Sequence, residues 1–419
     1  MPVTLYTLTS DLHSELTRTA SQEPFIKSIE AALGERFDVK GGDFSTYGTH
    51  DCELIYVRTG GTEGIFRSPF ANGGTLSIPE PVRLLTSGLS NSLAASMEIL
   101  SYLNLHGVKG EILHGSPEYI AGRIREGASP CAVSGQGSAG RFVCSVKPGR
   151  ILEGERLGVI GRPSDWLISS DVDYVRARDV LGLELVDIPM EELLDEIGRH
   201  SHPEAGLQAL NTPKYGKPIP ESDLADALDI YGALLRLTAK YRLNGLTIRC
   251  FDLLTAVHNT GCMSLALLNS EGYTATCEGD VPAMISMAVA RKLSGCPGFQ
   301  ANLSKAWDDN LLFAHCTVPL GMTRRWVYDT HFESGFGVAV HGEIPEGPVT
   351  LFKLSPDFGK AFICEGEILR NEYGGNLCRT QIVVKAPGAA SYFLREPIGN
   401  HHVIIPGRFG KELAEMLNG

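Results

Sequence analysis

The stretch LIYVRTGGTEG, residues 54–64, joins a short run of β-forming residues to a glycine-rich loop. Leu54 to Val57 has the apolar, β-branched and aromatic composition of a buried strand. The loop from Arg58 to Gly64 follows directly, and another strand-like run, Val3 to Leu8, lies upstream. Open α/β sheets bind ligands in loops at the carboxyl ends of their strands. This stretch therefore predicts an α/β unit with a possible pocket at the loop.

The residues after this loop continue the alternation of strand and helix. Arg83 to Leu85 leads through Thr86-Ser-Gly88 into a segment with helical spacing that ends at Gly107. The apolar positions of that segment are Leu93, Met97, Leu100 and Leu103. Ile112-Leu113 follows as the next strand-like run. The pattern predicts a βαβ unit in an open parallel sheet.

Two further units are expected downstream. A second α/β pattern begins near residue 151 with the run Leu157 to Gly161 and later includes a strand-like run from Leu246 to Phe251. Short strands between Gly and Pro turns then replace the helical periodicity, which indicates an antiparallel β domain. The predicted fold class is α/β, with two N-terminal Rossmann-like domains (1–150 and 151–300) that have parallel sheets, followed by a C-terminal β-rich domain (301–419).

Length and charge exclude several classes of protein. At roughly 150 residues per domain, 419 residues fit two or three domains. The chain has 37 basic and 49 acidic side chains, a formal charge of -12, which opposes the binding of nucleic acid. Hydrophobic residues make up 43% and charged residues 21%, as in ordinary globular proteins. The ten cysteines include no CxxC pair, so we expect buried, reduced thiols.

No targeting or membrane signal is visible in the sequence. The start, MPVTLYTLTSDLHSE, lacks a basic region followed by an apolar one. Nowhere do about 18 uncharged apolar residues run together. We therefore expect a cytoplasmic protein with no membrane partner.

Three loops after predicted strands are pocket candidates: Arg58 to Gly64, Thr86 to Asn91 and Arg162 to Trp166. Their glycines do not form G-x-G-x-x-G before a helix or G-x-x-x-x-G-K-[ST], so dinucleotide and nucleoside triphosphate binding lack their usual motif. The glycines also fit simple tight turns. The ring of Trp166 could stack on a sugar face or pack in the interior, and the sequence leaves both open.

A set of carboxylates and imidazoles lies in the second half of the chain. Asp252 follows the predicted strand, Glu278 and Asp280 precede a helix-like segment, and His401-His402 precedes an apolar run. Oxygen ligands with one imidazole suit Mn²⁺ or Mg²⁺ and leave positions open for substrate oxygens. The same residues also fit helix caps and a surface histidine pair, so their spacing alone does not identify a metal site.

Five segments, in order along residues 80–419, resemble motifs of the L-fucose isomerase and L-arabinose isomerase family, particularly its shorter fucose-isomerase-like members. The segments are Asn91-Ser-Leu-Ala-Ala-Ser-Met-Glu98, Thr276-Cys-Glu-Gly-Asp280, Thr330-His-Phe-Glu-Ser-Gly335, Cys378-Arg-Thr-Gln381 and Gly399-Asn-His-His-Val-Ile-Ile-Pro406. The resemblance implies two α/β domains, a β-rich domain and a metal-dependent aldose-ketose isomerase.

The same resemblance implies the metal ligands. They would be Asp252, Asp280 and one histidine of the pair, with His402 favoured over His401. The metal would be Mn²⁺, or Mg²⁺ or Co²⁺ in its place, and the two carboxylates would also act catalytically by moving protons. One departure is that the family usually has Glu where this chain offers Asp252, a side chain one methylene shorter.

The implied reaction interconverts an aldose and a ketose through a cis-enediol, with a metal-promoted hydride shift as a rival route. The implied substrate is a pentose, hexose, 6-deoxyhexose or an acidic hexose such as sulfoquinovose, and the implied assembly is a homo-oligomer, a trimer or hexamer. The expected substrate contacts are Asn91, Trp166, His315, His331 and Arg379. Each histidine and the arginine also fit a structural role in the core. The alternative function is a noncatalytic sugar-binding protein with two α/β lobes.

Overall fold

A computed structural model describes residues 2–10, 15–72, 75–127, 142–203 and 218–419. The first unit is a parallel five-stranded sheet with strand order β2-β1-β3-β6-β7. Its strands are β1 (Val3–Leu8), β2 (Phe37–Gly41), β3 (Glu53–Val57), β6 (Val82–Thr86) and β7 (Gly110–Leu113). Its helices are α1 (Glu15–Leu33), α2 (Glu63–Phe70), α3 (Ser92–Leu105) and α4 (Pro117–Arg125). A short antiparallel pair, β4 (Ala71–Asn72) and β5 (Thr75–Leu76), follows α2.

The second unit is a parallel four-stranded sheet with strand order β10-β9-β11-β12. Its strands are β9 (Arg156–Ile160), β10 (Glu184–Ile188), β11 (Gly245–Ile248) and β12 (Thr274–Thr276). Its helices are α5 (Tyr174–Arg176, continued by a π-helical turn over Ala177–Leu181), α6 (Met190–Ile197), α7 (Glu221–Tyr241), α8 (Phe251–Ala256), α9 (Cys262–Ser270) and α10 (Val281–Ser294).

The third unit is an antiparallel sheet that closes on itself. Its strand order is β17-β20-β13-β14-β19-β18-β8, and β17 also pairs with β18. The strands are β8 (Val143–Ser145), β13 (Phe299–Trp307), β14 (Asn310–His315), β17 (Gly347–Leu354), β18 (Lys360–Glu372), β19 (Thr380–Lys385) and β20 (His401–Pro406). The hairpin β15 (Arg325–Asp329) and β16 (Ala339–Glu343), a 3-10 turn (Leu320–Met322) and the helices α11 (Ala390–Arg395) and α12 (Gly410–Met416) complete it.

The predicted fold class is therefore confirmed: two Rossmann-like α/β units with parallel sheets are followed by an antiparallel β-rich unit. The boundaries at residues 150 and 300 stay predictions. One strand from before residue 150, β8, pairs with β18 of the closed sheet. A continuous apolar core joins the units, since one buried cluster includes Tyr6, Leu246 and Ile404.

One strand was predicted too long. The run from Leu246 to Phe251 was expected to be a single strand, but β11 ends at Ile248 and Phe251 begins α8. Asp252 therefore lies in the first turn of a short helix and not at the end of a strand.

The nine cysteines in the described ranges are free thiols, and the tenth, Cys131, lies outside these ranges. Among the helices that the structure describes, none combines the length and apolar composition needed to cross a bilayer.

Candidate functional site

A small polar cavity lies where loops of both parallel sheets meet the closed sheet. It contains about 380 Å³ of space, part of it open to solvent. Its wall includes six polar or aromatic side chains, those of Glu63, Asn91, Trp166, Glu278, Asn302 and Glu333. The enclosed room that a molecule can occupy is only about 30 Å³, space for a water or two and far below the roughly 300–1,000 Å³ of common ligand pockets. A larger ligand therefore needs the surrounding side chains to move, and it is the polar lining of the cavity that marks it as a candidate site.

The strand topology explains why these side chains converge. Glu63, Asn91, Trp166 and Glu278 follow the carboxyl ends of β3, β6, β9 and β12, respectively. Asn302 lies on β13, and Glu333 lies in the loop between β15 and β16. The carboxyl ends of parallel strands are the usual ligand-binding edge of an α/β sheet, and here two such edges face the same cavity.

Three potential metal ligands lie together beside the cavity: Glu278, His315 and His401. One donor atom from each side chain lies within 4.8 Å of the other two. The strand pairing brings the strands of the two histidines to either side of β13, where Asn302 pairs with His401 and with Ala314, the residue before His315. Their ring centroids are 5.3 Å apart.

Glu278 reaches this cluster through an unusual backbone conformation. Its φ angle is +66° and that of Gly279 is +69°, two successive left-handed residues. A Cβ at Gly279 would lie 2.5 Å from the carbonyl oxygen of Arg162, so this turn requires glycine. A left-handed Glu costs conformational energy, which is commonly found where a functional group must be placed.

One hydrogen bond and one ion pair hold the Glu278 carboxylate. The indole Nε1 of Trp166 donates to its Oε2 at 2.6 Å, and its Oε1 lies 3.4 Å from Nε2 of His401. Burial alone would raise the pKa of Glu278, but His401, His315 and the Trp166 bond lower it. The carboxylate is therefore ionised at neutral pH and available to a cation.

His401 is oriented by a buried carboxylate behind it. Its Nδ1 lies 2.9 Å from Oδ2 of Asp280, and Oδ1 of Asp280 accepts the Ala283 N–H at 2.7 Å at the start of α10. Burial would raise the pKa of Asp280, but Lys353 and His401 hold it well below its usual range. The ionised Asp280 accepts a hydrogen bond from the Nδ1–H of His401 and leaves Nε2 facing Glu278, the arrangement by which carboxylates orient metal-binding histidines.

The charge states of the two histidines differ. Burial lowers the pKa of His315 to about 3, so this imidazole is neutral. Burial would also lower the pKa of His401, but Glu278 and Asp280 together raise it to about 9. A cation that binds Nε2 of His401 must therefore displace a proton.

Two other carboxyl groups line the cavity. Glu333 accepts a hydrogen bond at 2.8 Å from Nδ2 of Asn91, and burial together with the charge of Glu278 raises its pKa to about 8. Glu63 is 2% exposed, and burial raises its pKa well above the ordinary value.

Several buried polar atoms around the cavity have no hydrogen-bond partner within the described residues. They are Oε2 of Glu63, Oδ1 of Asn91, Oδ1 of Asn302 and Nε2 of His401. Buried polar atoms are normally satisfied, so a concentration of unsatisfied ones at one cavity needs an explanation. A polar ligand supplies one.

The structure brings five of the residues singled out in the sequence to this site. Asn91 and Trp166 line the cavity, and Glu278, His315 and His401 form the cluster of potential metal ligands. Asp280 was expected to be a metal ligand. It lies directly behind the cluster instead and orients His401 through a hydrogen bond.

The other predicted residues lie elsewhere. The Asp252 carboxylate accepts from Nε of Arg249 at 3.0 Å and lines a separate open crevice, because α8 turns it away from the cluster. His402 faces the opposite side of β20 from His401, as adjacent strand residues do, and its Nε2 is 2.8 Å from the Tyr392 hydroxyl. His402 was the favoured ligand, but His401 is the member of the pair that lies in the cluster of potential ligands.

His331 and Arg379 have internal partners. Nδ1 of His331 lies 3.1 Å from the Ser334 hydroxyl, and burial lowers the pKa of this ring to about 4. Arg379 donates to the carbonyl oxygen of Thr330 at 2.6 Å and lies 3.5 Å from Asp329. Both side chains thus brace the loop that carries Glu333.

Sequence reasoning did not select Glu63 or Asn302 as site residues. Glu63 lies in the Arg58 to Gly64 loop that was proposed as a pocket edge, so its position carried a signal. No sequence signal marks Asn302, because only the pairing of β13 with β14 and β20 places it beside the histidines.

A scan against protein-family models found no match to this chain, and a search of curated proteins found no match either.

Proposed function

We propose that this protein is a divalent-metal-dependent aldose-ketose isomerase that acts on a pentose, hexose, 6-deoxyhexose or acidic hexose. The observation that carries the proposal is the cluster of Glu278, His315 and His401 beside a small polar cavity. The resemblance of five sequence motifs to the fucose and arabinose isomerases supports it. The cytoplasmic location and the homo-oligomer, a trimer or hexamer, implied by that resemblance remain predictions.

The donor set favours particular ions. One carboxylate and two imidazoles suit borderline ions such as Mn²⁺ and Co²⁺, whereas Mg²⁺ prefers oxygen ligands. Nε2 of His401, which makes no hydrogen bond to the described residues, and the ionised Glu278 are the groups that such an ion needs. A bound ion would polarise the substrate carbonyl and favour loss of the neighbouring proton.

The chain's own residues account for sugar binding. The side-chain amides of Asn91, Asn302 and Asn400 line the cavity and can both donate to and accept from hydroxyl groups. The ring of Trp166 forms an apolar wall and is fixed by its bond to Glu278 and by edge-on packing against Phe251 at 4.8 Å. An apolar wall opposite polar groups matches the two kinds of surface on a sugar.

The experiment that tests this function is a screen of aldoses for ketose formation by Mn²⁺-loaded protein. Pentoses, hexoses, 6-deoxyhexoses and acidic hexoses are each followed by NMR. Turnover of at least one class supports an isomerase. Saturable sugar binding without turnover supports the alternative, a noncatalytic sugar-binding protein.

Metal affinity should depend on pH through His401. The pKa of this ring in the metal-free protein is raised to about 9, so below that pH Mn²⁺ displaces one proton. We expect the affinity to rise about tenfold per pH unit up to about pH 9 and to fall as the pH drops. Calorimetric titration with Mn²⁺ at several pH values measures this slope. An affinity that does not change with pH between about 6 and 8 would contradict the role of His401.

A further inference from the structure

Two carboxyl groups of the cavity, Glu63 and Glu333, are not part of the metal cluster. Two other carboxylates near the cavity, those of Glu278 and Asp280, already have partners for both of their oxygens. Glu278 faces the indole of Trp166 with one oxygen and His401 with the other, and both oxygens of Asp280 face buried donors. The proton transfers of an isomerisation therefore need other groups.

Glu333 is held at the cavity by a rigid loop. The Gly335 N–H donates to the carbonyl oxygen of His331 at 2.9 Å, which closes a turn around Glu333. The Asn91 amide then fixes Oε1 from the opposite side at 2.8 Å. Burial and the charge of Glu278 raise the pKa of Glu333 to about 8, although the Asn91 bond favours the carboxylate. Both forms are therefore populated near pH 8, which suits a group that takes up a proton and returns it.

The close approach of Glu333 to Asn91 also depends on Gly60. A Cβ on Gly60 would lie 3.0 Å from Cβ of Asn91 and 3.8 Å from Oε1 of Glu333. The absence of a side chain at this position lets the loop after β3 close over the Asn91–Glu333 pair. Three separate segments of the chain thus fix the position of this carboxyl group.

Glu63 has the opposite environment. It is 2% exposed in the first turn of α2, and no described residue donates from its side chain to Oε2. A buried carboxyl oxygen without a donor favours the neutral acid. Glu63 is therefore arranged as a proton donor.

Given the isomerase activity proposed above, we propose that Glu333 transfers the carbon-bound proton of the substrate and that Glu63 transfers the hydroxyl proton. The Glu333 carboxylate takes the proton from C2, and the C2–H electron pair forms the C1–C2 double bond. The carbonyl π electrons move to O1, which takes the proton of Glu63. Glu333 then returns its proton to C1, and O2 becomes the carbonyl oxygen as its proton goes back to Glu63.

The test compares Glu333→Gln and Glu63→Gln with the wild type, using whichever aldose the wild type converts. The glutamine oxygen at position 333 can still accept from Asn91, so folding, Mn²⁺ content and calorimetric affinity for the matching sugar alcohol should be unchanged. We expect kcat to fall at least about 100-fold in Glu333→Gln and at least about tenfold in Glu63→Gln, as for lost general acid-base groups. Solvent deuterium should no longer enter the product in Glu333→Gln.

Glu346→Gln is the matched control, because Glu346 is an exposed partner of Arg324 in the same unit. It should retain the wild-type rate. A Glu333→Gln rate within about threefold of wild type would overturn the assignment while the isomerase activity stands. A wild type that converts no aldose would overturn the proposed function, and this assignment with it.

The folding, Mn²⁺ content and turnover of two Glu333 variants distinguish proton transfer from a merely structural role. If Glu333→Gln loses Mn²⁺ or does not fold, Glu333→Asp decides, since it retains the carboxylate on a shorter side chain. Partial recovery of turnover supports proton transfer. Equal loss in both variants, with normal metal content in Glu333→Asp, contradicts it.

Discussion

His401→Ala is expected to lower the affinity for Mn²⁺ by more than about 100-fold, because it removes a ligand, and loss of an outer partner alone typically costs 10–100-fold. His402→Ala should retain the ion. Its ring points to the other face of β20 and contacts Tyr392. The measurement is elemental analysis of both purified variants together with Mn²⁺ titration.

Asp280→Asn provides a graded comparison with these variants. It keeps the shape of the side chain but removes the charge that orients the Nδ1 proton of His401. We expect a loss of about 10–100-fold in Mn²⁺ affinity, smaller than that of His401→Ala. Loss of the ion in His402→Ala but not in His401→Ala would move the ligand role to His402, and full retention in all three variants would place β20 outside the metal site.

Lys353→Met is expected to lower the free energy of unfolding by about 3–5 kcal/mol, the usual cost of removing one partner of a buried ion pair. Lys353 is fully buried, and its Nζ lies 3.5 Å from Oδ1 of Asp280. Glu98 lies close to Lys353, because both side chains approach Gly399. A Cβ on Gly399 would lie 3.3 Å from Oε2 of Glu98 and 3.9 Å from Cε of Lys353. The substitution leaves these buried acidic groups without their cation. Urea unfolding followed by circular dichroism measures the change.

Lys360→Met serves as the control for this substitution. Lys360 is exposed at the start of β18, so its replacement should change stability by less than about 0.5 kcal/mol. A loss of under about 1 kcal/mol in Lys353→Met would mean that the buried lysine does not neutralise Asp280. Another group would then have to stabilise the ionised Asp280 that orients His401.

The fold was largely predictable because hydrophobic periodicity is a local signal. Val3 to Leu8 was predicted as a strand and forms β1, and the apolar positions from Leu93 to Leu103 lie within α3. The strand that was predicted to reach Phe251 ended at Ile248 instead. Apolar residues in the first turn of a buried helix look like the end of a buried strand, so periodicity could not separate the two.

The site was only partly predictable, because its geometry depends on contacts between distant segments. Alternation along a strand predicts that one histidine of the pair faces the site, but the face is set by the pairing of β20 with β13, which aligns His401 with Asn302. The position of the Glu278 carboxylate in the cluster depends on its left-handed backbone, which the sequence did not reveal.

Turnover by metal-stripped and Mn²⁺-reloaded protein tests whether this chain is a metal-dependent isomerase. Chelator-treated protein is divided, one portion is reloaded with Mn²⁺, and both are incubated with the aldose panel while NMR follows ketose formation. We expect at least one aldose to be converted by the reloaded wild type, and by neither the stripped protein nor reloaded His401→Ala. Conversion at the same rate without metal, or no conversion of any aldose by protein that has bound Mn²⁺, would contradict this expectation.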